Sequence, residues 1–365
     1  MQEESVSSKI LVVNLGSTST KVGIFAQEKM QINQGISHSV EELSRYRSIL
    51  DQYELRQQAI FSVLGEHAQE LDSFCAIACR GGNTKPVPGG IYRICPAMIE
   101  DMKSGRFGQH PNIIGGIVAH DIGRQKNIPV FTVDPPTTDE LCAYARYSGI
   151  PQLRRQSSFH ALSQKATARK IAAQLGKSYD QVNLIVAHLG GGISVGAHLQ
   201  GKVVDVNNAL DGDGPFSPER AGSLPTGELI KLCFSGQYTQ PEVMRLIQGG
   251  GGLVAYLGTT DARAIEQRIA GGDEEAAEVY QAMIYQVAKE IGACAAVLEG
   301  RVDAIALTGS LAYSDLLVTS LSRRVSFLAP LYVDPGENEM EALAGGVLRY
   351  LTNQESLSNY QGVPG

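Results

Sequence analysis

Three short turns in this chain carry the residue types that grip an anion. The richest lies within residues 184–215, where Leu184, Ile185, Val186 and Ala187 form an apolar run of strand length that breaks at His188-Leu189-Gly190-Gly191-Gly192. Three consecutive glycines cost backbone entropy and offer nothing to pack, so they suit a tight turn whose bare N–H groups approach an anion. Residues 193–197 read as a returning strand, with Asp205-Val206-Asn207-Asn208 and Asp211-Gly212-Asp213-Gly214-Pro215 as a polar loop on the same side. The device has an echo near the start: an apolar run at 10–13, then Asn14-Leu15-Gly16-Ser17-Thr18-Ser19-Thr20-Lys21, then a second run at 22–25. Asn14 falls on His188 and Gly16 on Gly190, each 174 positions on, and the turns coincide until a one-residue gap. One strand-turn-strand device carried twice is the trace of a duplicated domain. A third turn, Thr308-Gly309-Ser310, ends the apolar run 304–307. Duplicated halves would bring the first two turns face to face across a cleft. Opposed anion-binding turns with an acid for Mg²⁺ are what phosphoryl transfer asks for, since positioning and charge neutralisation carry that reaction. Plain tight hairpins are the bland alternative.

Other elements must position further polar residues. The run 75–79 reads as a strand that delivers Arg80 into the loop 81–90, where strand ends commonly place working residues. Residues 128–133 read as a strand running into Asp134-Pro135-Pro136, a stiff crossing between domains. Apolar residues at helical spacing predict one long amphipathic helix over 40–65; Pro96 and Pro111, the latter just after His110, open two more. Ser157 or Ser158 caps a helix through Gly176, with Phe159 and His160 in its first turn. Helices follow at 225–235 and 241–247, then a helix ending at Ile269 capped by Thr259 or Thr260, then a long one over 273–298. A last strand is expected at 325–333 and a last helix at 340–351. This alternation argues an α/β fold in two similar halves.

A length of 365 residues suits two domains, each with its own core. A net charge of −7 argues against nucleic acid or an anionic membrane as partner, because both attract a positive field. Six scattered cysteines without a C-x-x-C pair point to free thiols in a reducing compartment. No apolar run approaches the roughly 18 residues of a membrane span, and the polar N-terminus has no leader-like core, so a soluble cytoplasmic protein is expected. Gly176-Lys177-Ser178 is not a P-loop, since Ile171 stands where its first glycine belongs. Pro215 spoils the calcium-loop look of the Asp211 segment, and no G-x-G-x-x-G follows a strand.

Taken together, NLGSTSTK, CRGGNTKPVPGG, QHPNIIGGIVA, SFHALSQKATARKIA, HLGGGISVGAHLQGKVVDVNNALDGDGPFSPERAGSLPTGELI, GGLVAYLGT and ENEMEALAGG run through nearly the whole chain. In them the chain resembles the butyrate kinases, of the acetate kinase group in the actin, sugar-kinase and Hsp70 superfamily. The resemblance implies two duplicated ribonuclease H-like (actin-like ATPase) domains with a cleft between them. An acyl-substrate side would be formed by residues 1–136 and a C-terminal helix at 341–365, and a nucleotide side by 137–340. It implies reversible transfer of the ATP γ-phosphoryl group to a short-chain carboxylate, with Mg²⁺, in a homodimer or multiple of dimers.

The roles so implied are these. Asn14, Ser17, Ser19 and Lys21 form the first phosphate turn, with Asn14 also near the metal. Arg80 holds the acid and the phosphoryl oxygens, Asp134 stands beside the acceptor and metal, and Glu339 helps hold Mg²⁺. His160 donates to the transferring group, while His188 and Gly190, Gly191 and Gly192 form the ATP phosphate loop. Asp261 and Arg263 match an adenosine-side D-x-R, and Gly309 and Ser310 the turn under the nucleotide. Phe159, Gly82 and Arg220 are assigned to the substrate pocket. Three departures stand out: Pro225 occupies the place of the acetate enzymes' second arginine, with Arg220 nearby, Leu15 replaces a proline, and Ser310 replaces a glycine. Gly82 stands where the acetate enzymes carry a bulky aliphatic wall, which predicts room for a C4 or branched C4–C5 acid. Acetate or propionate as acceptor, an ATP-driven switch protein and a non-catalytic sensor are the competing expectations. Closure of the two domains about 134–136 and 337–341 is also expected.

Overall fold

The computed structural model describes residues 9–108 and 110–361; residues 1–8, on which the lack of a leader was judged, and Gln109 of QHPNIIGGIVA lie outside them. In chain order the strands are β1 (Lys9–Leu15), β2 (Ser19–Ala26), β3 (Lys29–Ser37), β4 (Phe74–Cys79), β5 (Ile91–Arg93), β6 (Val130–Val133), β7 (Asn183–Leu189), β8 (Ile193–Leu199), β9 (Lys202–Val206), β10 (Ala304–Gly309), β11 (Leu331–Pro335) and β12 (Leu357–Ser358). The chain divides into two compact units, Met1–Thr138 with Asn338–Gly365, and Asp139–Glu337.

Each unit is built on the same sheet plan. The first has the order β12-β5-β6-β4-β1-β2-β3 and the second β11-β10-β7-β8-β9. In both, an antiparallel meander of three strands (β1-β2-β3, β7-β8-β9) is continued by two parallel strands (β4 and β6, β10 and β11). The duplication legible in Asn14 and His188 therefore extends to whole sheets. The one-residue gap appears in the pairing: Leu15 pairs with Thr20 but Leu189 pairs with Ile193, so the first turn is one residue longer.

Parallel strands need cover on both faces. On one side of the second sheet Ile185, Ala187 and Leu189 of β7 pack on Tyr280, Met283, Ile284, Val287 and Ile291 of the helix Glu274–Val297. On the other, Leu184 and Val186 with Ala304 and Ala306 of β10 pack on Ala168, Ile171 and Ala172 of the helix Ala161–Gln174. Each fully buried aliphatic side chain contributes about 1.5–3 kcal/mol over its exposed state. In the first unit Leu11, Val13 and Leu15 pack with Ile60, Val63, Ile113, Ile114 and Ile117, and the helix Glu339–Leu351 packs against β1, β4 and β6. Among the described residues no helix is long and apolar enough to cross a membrane.

The C-terminal helix expected at 341–365 is Glu339–Leu351, with the strand β12 beyond it, and four further expected elements need correction. The helix predicted over 40–65 is two, Val40–Leu43 and Tyr53–Glu66, joined through a 3₁₀ turn. Between them the Ser48 amide donates to Asp51 Oδ2 at 2.9 Å and the Asp51 amide to Ser48 Oγ at 3.4 Å, local bonds that compete with helix continuation. The helix expected to include Phe159 and His160 starts only at Ala161, because Ser158 gives its carbonyl to Ala209 instead of to a helical turn. The cap before residue 262 is Asp261, not a threonine. Finally, Val325 ends a helix, Asp315–Val325, whose Leu317, Leu321 and Val325 are buried at four-residue spacing behind a Ser314 cap; the strand begins only at Leu331.

Candidate active site

The first unit gathers its expected residues at the C-terminal ends of neighbouring strands, where α/β sheets place their ligands. Asn14, Arg80 and Asp134 sit at or just beyond the ends of β1, β4 and β6, which lie side by side in the sheet. Val13 pairs with Cys79, so Asn14 and Arg80 are the next residues along two adjacent parallel strands. Lys21 stands directly opposite Asn14 on β2. Glu339 comes from the far end of the chain: Asn338, left-handed at φ 47°, caps the last helix, and Glu339 opens it. Its carboxylate thus lies at the positive end of the helix dipole. Glu339 Oε1 is ion-paired with Arg80 Nη1, and Glu339 Oε2 accepts from Asn14 Nδ2 at 2.7 Å. Asp134 is 1% exposed and holds φ 40°, a strained value for a non-glycine residue. Its amide donates to Gly90 O at 2.9 Å and its Oδ1 accepts from Gly90 N–H at 2.8 Å, which fixes the strained turn. Beside this group, burial and then the charge of Arg80 hold the His110 imidazole below its ordinary range, so it stays neutral at neutral pH.

Ser17 and Ser19 lie on the turn closed by Gly16 N–H donating to Ser19 O at 2.9 Å. Beneath it is a residue that motif reading missed. Arg56, 0% exposed, donates to Ser19 O (2.8 Å), Ser17 O (2.8 Å) and Thr20 Oγ1 (3.3 Å), and is steadied by Gln52 Oε1 at 3.1 and 3.3 Å. Its signal was in the helix itself: Arg56 interrupts the buried stripe of Ala59, Ile60, Val63 and Leu64.

Gly82 does not open a pocket wall as expected. A Cβ placed on it would stand 2.7 Å from Ile113 Cα, 2.9 Å from Ile113 Cγ1 and 3.1 Å from Met102 Cγ. The space left by the missing side chain is taken by the start of the helix Asn112–Lys126.

In the second unit the rings of His160 and His188 stack, centroids 3.9 Å apart and planes at 13°. Ser194 Oγ lies 2.8 Å from His160 Nδ1, and Ser163 Oγ 2.9 Å from His188 Nδ1. His188 Nε2 lies against the glycine turn, 3.2 Å from where a Cβ on Gly190 would be. Gly190 N–H donates to Gly192 O at 3.1 Å, Gly191 is the exposed tip, and its carbonyl accepts from Ser217 Oγ at 2.5 Å. The guanidinium of Arg220 fills the Cβ direction of Gly192 and donates to Ala209 O at 2.5 Å. Arg220 is therefore part of the glycine turn's surroundings, in a different unit from Gly82. Phe159, 7% exposed, packs with Leu141, Ala145, Val203 and Val206 in a small core. Gly309 exchanges backbone bonds of 3.0 Å with Gly336; its φ of 90° and the crowding of its Cβ direction by the Leu189 backbone both demand glycine. Ser310 follows at the start of a 3₁₀ turn. Asp261 and Arg263 are exposed, and the Asp261 carboxylate accepts from the amides of Arg263 (2.9 Å) and Ala264 (3.4 Å), a helix-capping task.

A model of the Acetokinase family matches residues 140–352, more than half of the chain. The chain belongs to the acetokinase family. Its members are phosphotransferases with a carboxylate as acceptor. Solved structures of similar fold include acetate kinase from Porphyromonas gingivalis (20% identity, TM-score 0.73, covering 93% of this chain and 99% of that one). Others are a propionate kinase from Francisella tularensis (19%, 0.72, 93% and 98%) and acetate kinase from Entamoeba histolytica (17%, 0.71, 93% and 98%). At such identities they establish the fold of this chain, two actin-like halves. The matched segment takes in the glycine turn, both stacked histidines and Glu339, whereas Asn14, Arg80 and Asp134 lie before it.

Proposed function

We propose that this protein transfers the γ-phosphoryl group of ATP reversibly to a short-chain fatty acid, butyrate or a branched C4–C5 acid, giving the acyl phosphate and ADP. A carboxylate oxygen forms the new bond to phosphorus as the bond to the ADP oxygen breaks. The observation that carries the reading is the cluster of Arg80, Asn14, Asp134 and Glu339 at the strand ends of the first unit. A forked guanidinium there suits both a carboxylate and a phosphoryl group. The reading assigns the acid to the first unit and the nucleotide to the second, with His188 and the turn Gly190–Gly192 at the phosphates and His160 donating to the group in transfer.

The donor set fits Mg²⁺. Among the described residues no three His, Cys, Asp or Glu side chains gather as a cation cage, and Mg²⁺ characteristically takes one or two carboxylates, water and substrate phosphates. Asn14, through its side-chain oxygen, and Glu339 would hold it in place of their 2.7 Å hydrogen bond; when bound it would neutralise phosphate charge. Cytoplasmic placement and a dimeric assembly belong to the same proposal.

The butyrate assignment rests on the resemblance of the motifs, since Gly82 lends it no room. A hydroxamate assay over acetate, propionate, butyrate and isobutyrate tests it. Higher kcat/KM for the C4 acids is expected; equal or higher kcat/KM for acetate overturns the chain length. ATP hydrolysis indifferent to any added acid overturns the kinase reading itself.

A further inference from the structure

Behind His160 lies a buried row of polar groups whose hydrogen-bond directions can be assigned one after another. The starting point is the backbone carbonyl of Ser194, which can only accept. The Gln164 side-chain nitrogen lies 3.0 Å from it, so the amide group must present its NH₂ there and its oxygen at the other end. That oxygen lies 3.0 Å from His198 Nε2, which must therefore carry a proton. His198 is fully buried, and burial with the nearby charges of Lys165 and Arg169 keeps it neutral. Its Nδ1 is then bare and accepts from Tyr179 O–H at 2.7 Å. Gly196 on β8 makes the row possible: a Cβ there would meet Gln164 Oε1 at 2.5 Å and His198 Nε2 at 3.3 Å.

The same logic runs toward His160. The Gln164 NH₂ also donates to Ser194 Oγ at 2.7 Å, so that oxygen is accepting. Ser194 is 0% exposed, and a buried hydroxyl proton needs an acceptor. The acceptor within reach is His160 Nδ1, at 2.8 Å.

We infer that Ser194, Gln164 and His198 form a positioning relay that fixes His160 as the neutral tautomer with its proton on Nε2. The hydrogen bond made by one ring nitrogen sets the state of the other. In this arrangement the His160 ring always presents an N–H donor at Nε2 and never a bare nitrogen, which suits a partner carrying anionic oxygens. That consequence rests on the proposed phosphoryl transfer, whereas the tautomer does not.

The test reads the tautomer directly. In protein labelled with ¹⁵N-histidine, long-range ¹H–¹⁵N correlation spectra at neutral pH, compared with those of H160Q, pick out the His160 signals. Expected are a protonated Nε2 and a bare Nδ1. In Ser194→Ala an Nδ1–H population should appear, with kcat lowered about tenfold and nucleotide KM nearly unchanged. Gln164→Met should act in the same direction, and it guards against a folding defect in the first variant. An Nδ1–H or doubly protonated His160 in the wild type, or a tautomer untouched by both variants, overturns the relay. Because the spectra need no substrate, a protein that phosphorylated no acid would sink the proposed function and leave this result standing.

Discussion

Ile113 Cα stands 2.7 Å from the position a Cβ on Gly82 would take. Backbone cannot retreat as a flexible side chain can, so any larger residue at 82 must push the helix Asn112–Lys126 off its strand layer. Gly82→Val is therefore expected to lower stability by about 1–3 kcal/mol through overpacking. The ratio of kcat/KM for butyrate to that for acetate should stay within about twofold. Thermal unfolding and a two-substrate assay check this together; a clean switch toward acetate at unchanged stability would restore Gly82 as a pocket wall.

Arg80 and Glu339 form the charged centre of the first unit's cluster. Arg80→Ala should reduce acyl phosphate formation about 10³-fold or more while the protein stays folded, since the lost group lies beyond the end of β4. Arg80→Lys should recover little, because an ammonium does not reproduce the fork. Glu339→Gln should raise the Mg²⁺ concentration needed for half-maximal rate about tenfold, read by metal titration of the assay.

Arg56 supports the Gly16–Ser19 turn from within the core. Arg56→Met keeps bulk but leaves the Ser17 and Ser19 carbonyls without this donor, so a loss of about tenfold in kcat/KM is expected from a turn no longer held in place. Thermal stability should fall as well, by about 1 kcal/mol, as the partly buried Ser17 and Ser19 carbonyls lose their charged donor. Full activity in a destabilised variant would confine Arg56 to a folding role.

Glu290 gives a pH signature. Burial first, then the negative charges of Asp213 and Asp205, push its carboxyl up to about 7, against the partial relief of Arg155. The fold therefore binds a proton that the unfolded chain releases above pH 4.5. Its contribution is fully present below pH 4.5 and is lost as pH rises toward 7, amounting to about 3 kcal/mol at most. Glu290→Gln should unfold at a higher temperature than the wild type at pH 8, with the difference vanishing near pH 4.5. Equal unfolding midpoints across that range would refute the assignment.

What the sequence made legible followed from local chemistry. The apolar runs before Asn14 and His188, the turns behind them and the 174-residue echo needed only strand length and glycine content, and the sheets repeat that plan. Where side-chain bonds between neighbours decide, as at Ser48 and Asp51, the helical pattern overran its true limits. The helix Asp315–Val325 is readable in the sequence, from Ser314 and the four-residue spacing of Leu317, Leu321 and Val325. Gly82 shows a deeper ambiguity: a missing side chain leaves space, and whether a ligand or the chain's own backbone fills it depends on Ile113, a partner that only the fold supplies. Arg56 and the Gln164–His198 row lie in the same class, since their partners come from separate elements.

The first unit is interrupted by the whole of the second before its last helix arrives, and Asn14 meets a carboxylate 325 positions away in Glu339. During synthesis, at about 5–20 residues per second, β6 waits roughly 10–40 s for that helix, and β4 and β1, made earlier, wait longer. A nascent chain thus holds Arg80 without Glu339 and lacks the cover of this helix on β1, β4 and β6 until residues 339–351 have been made. The cluster therefore matures late in synthesis: all of residues 139–337 is made before the helix that carries Glu339 can join Asn14 and Arg80.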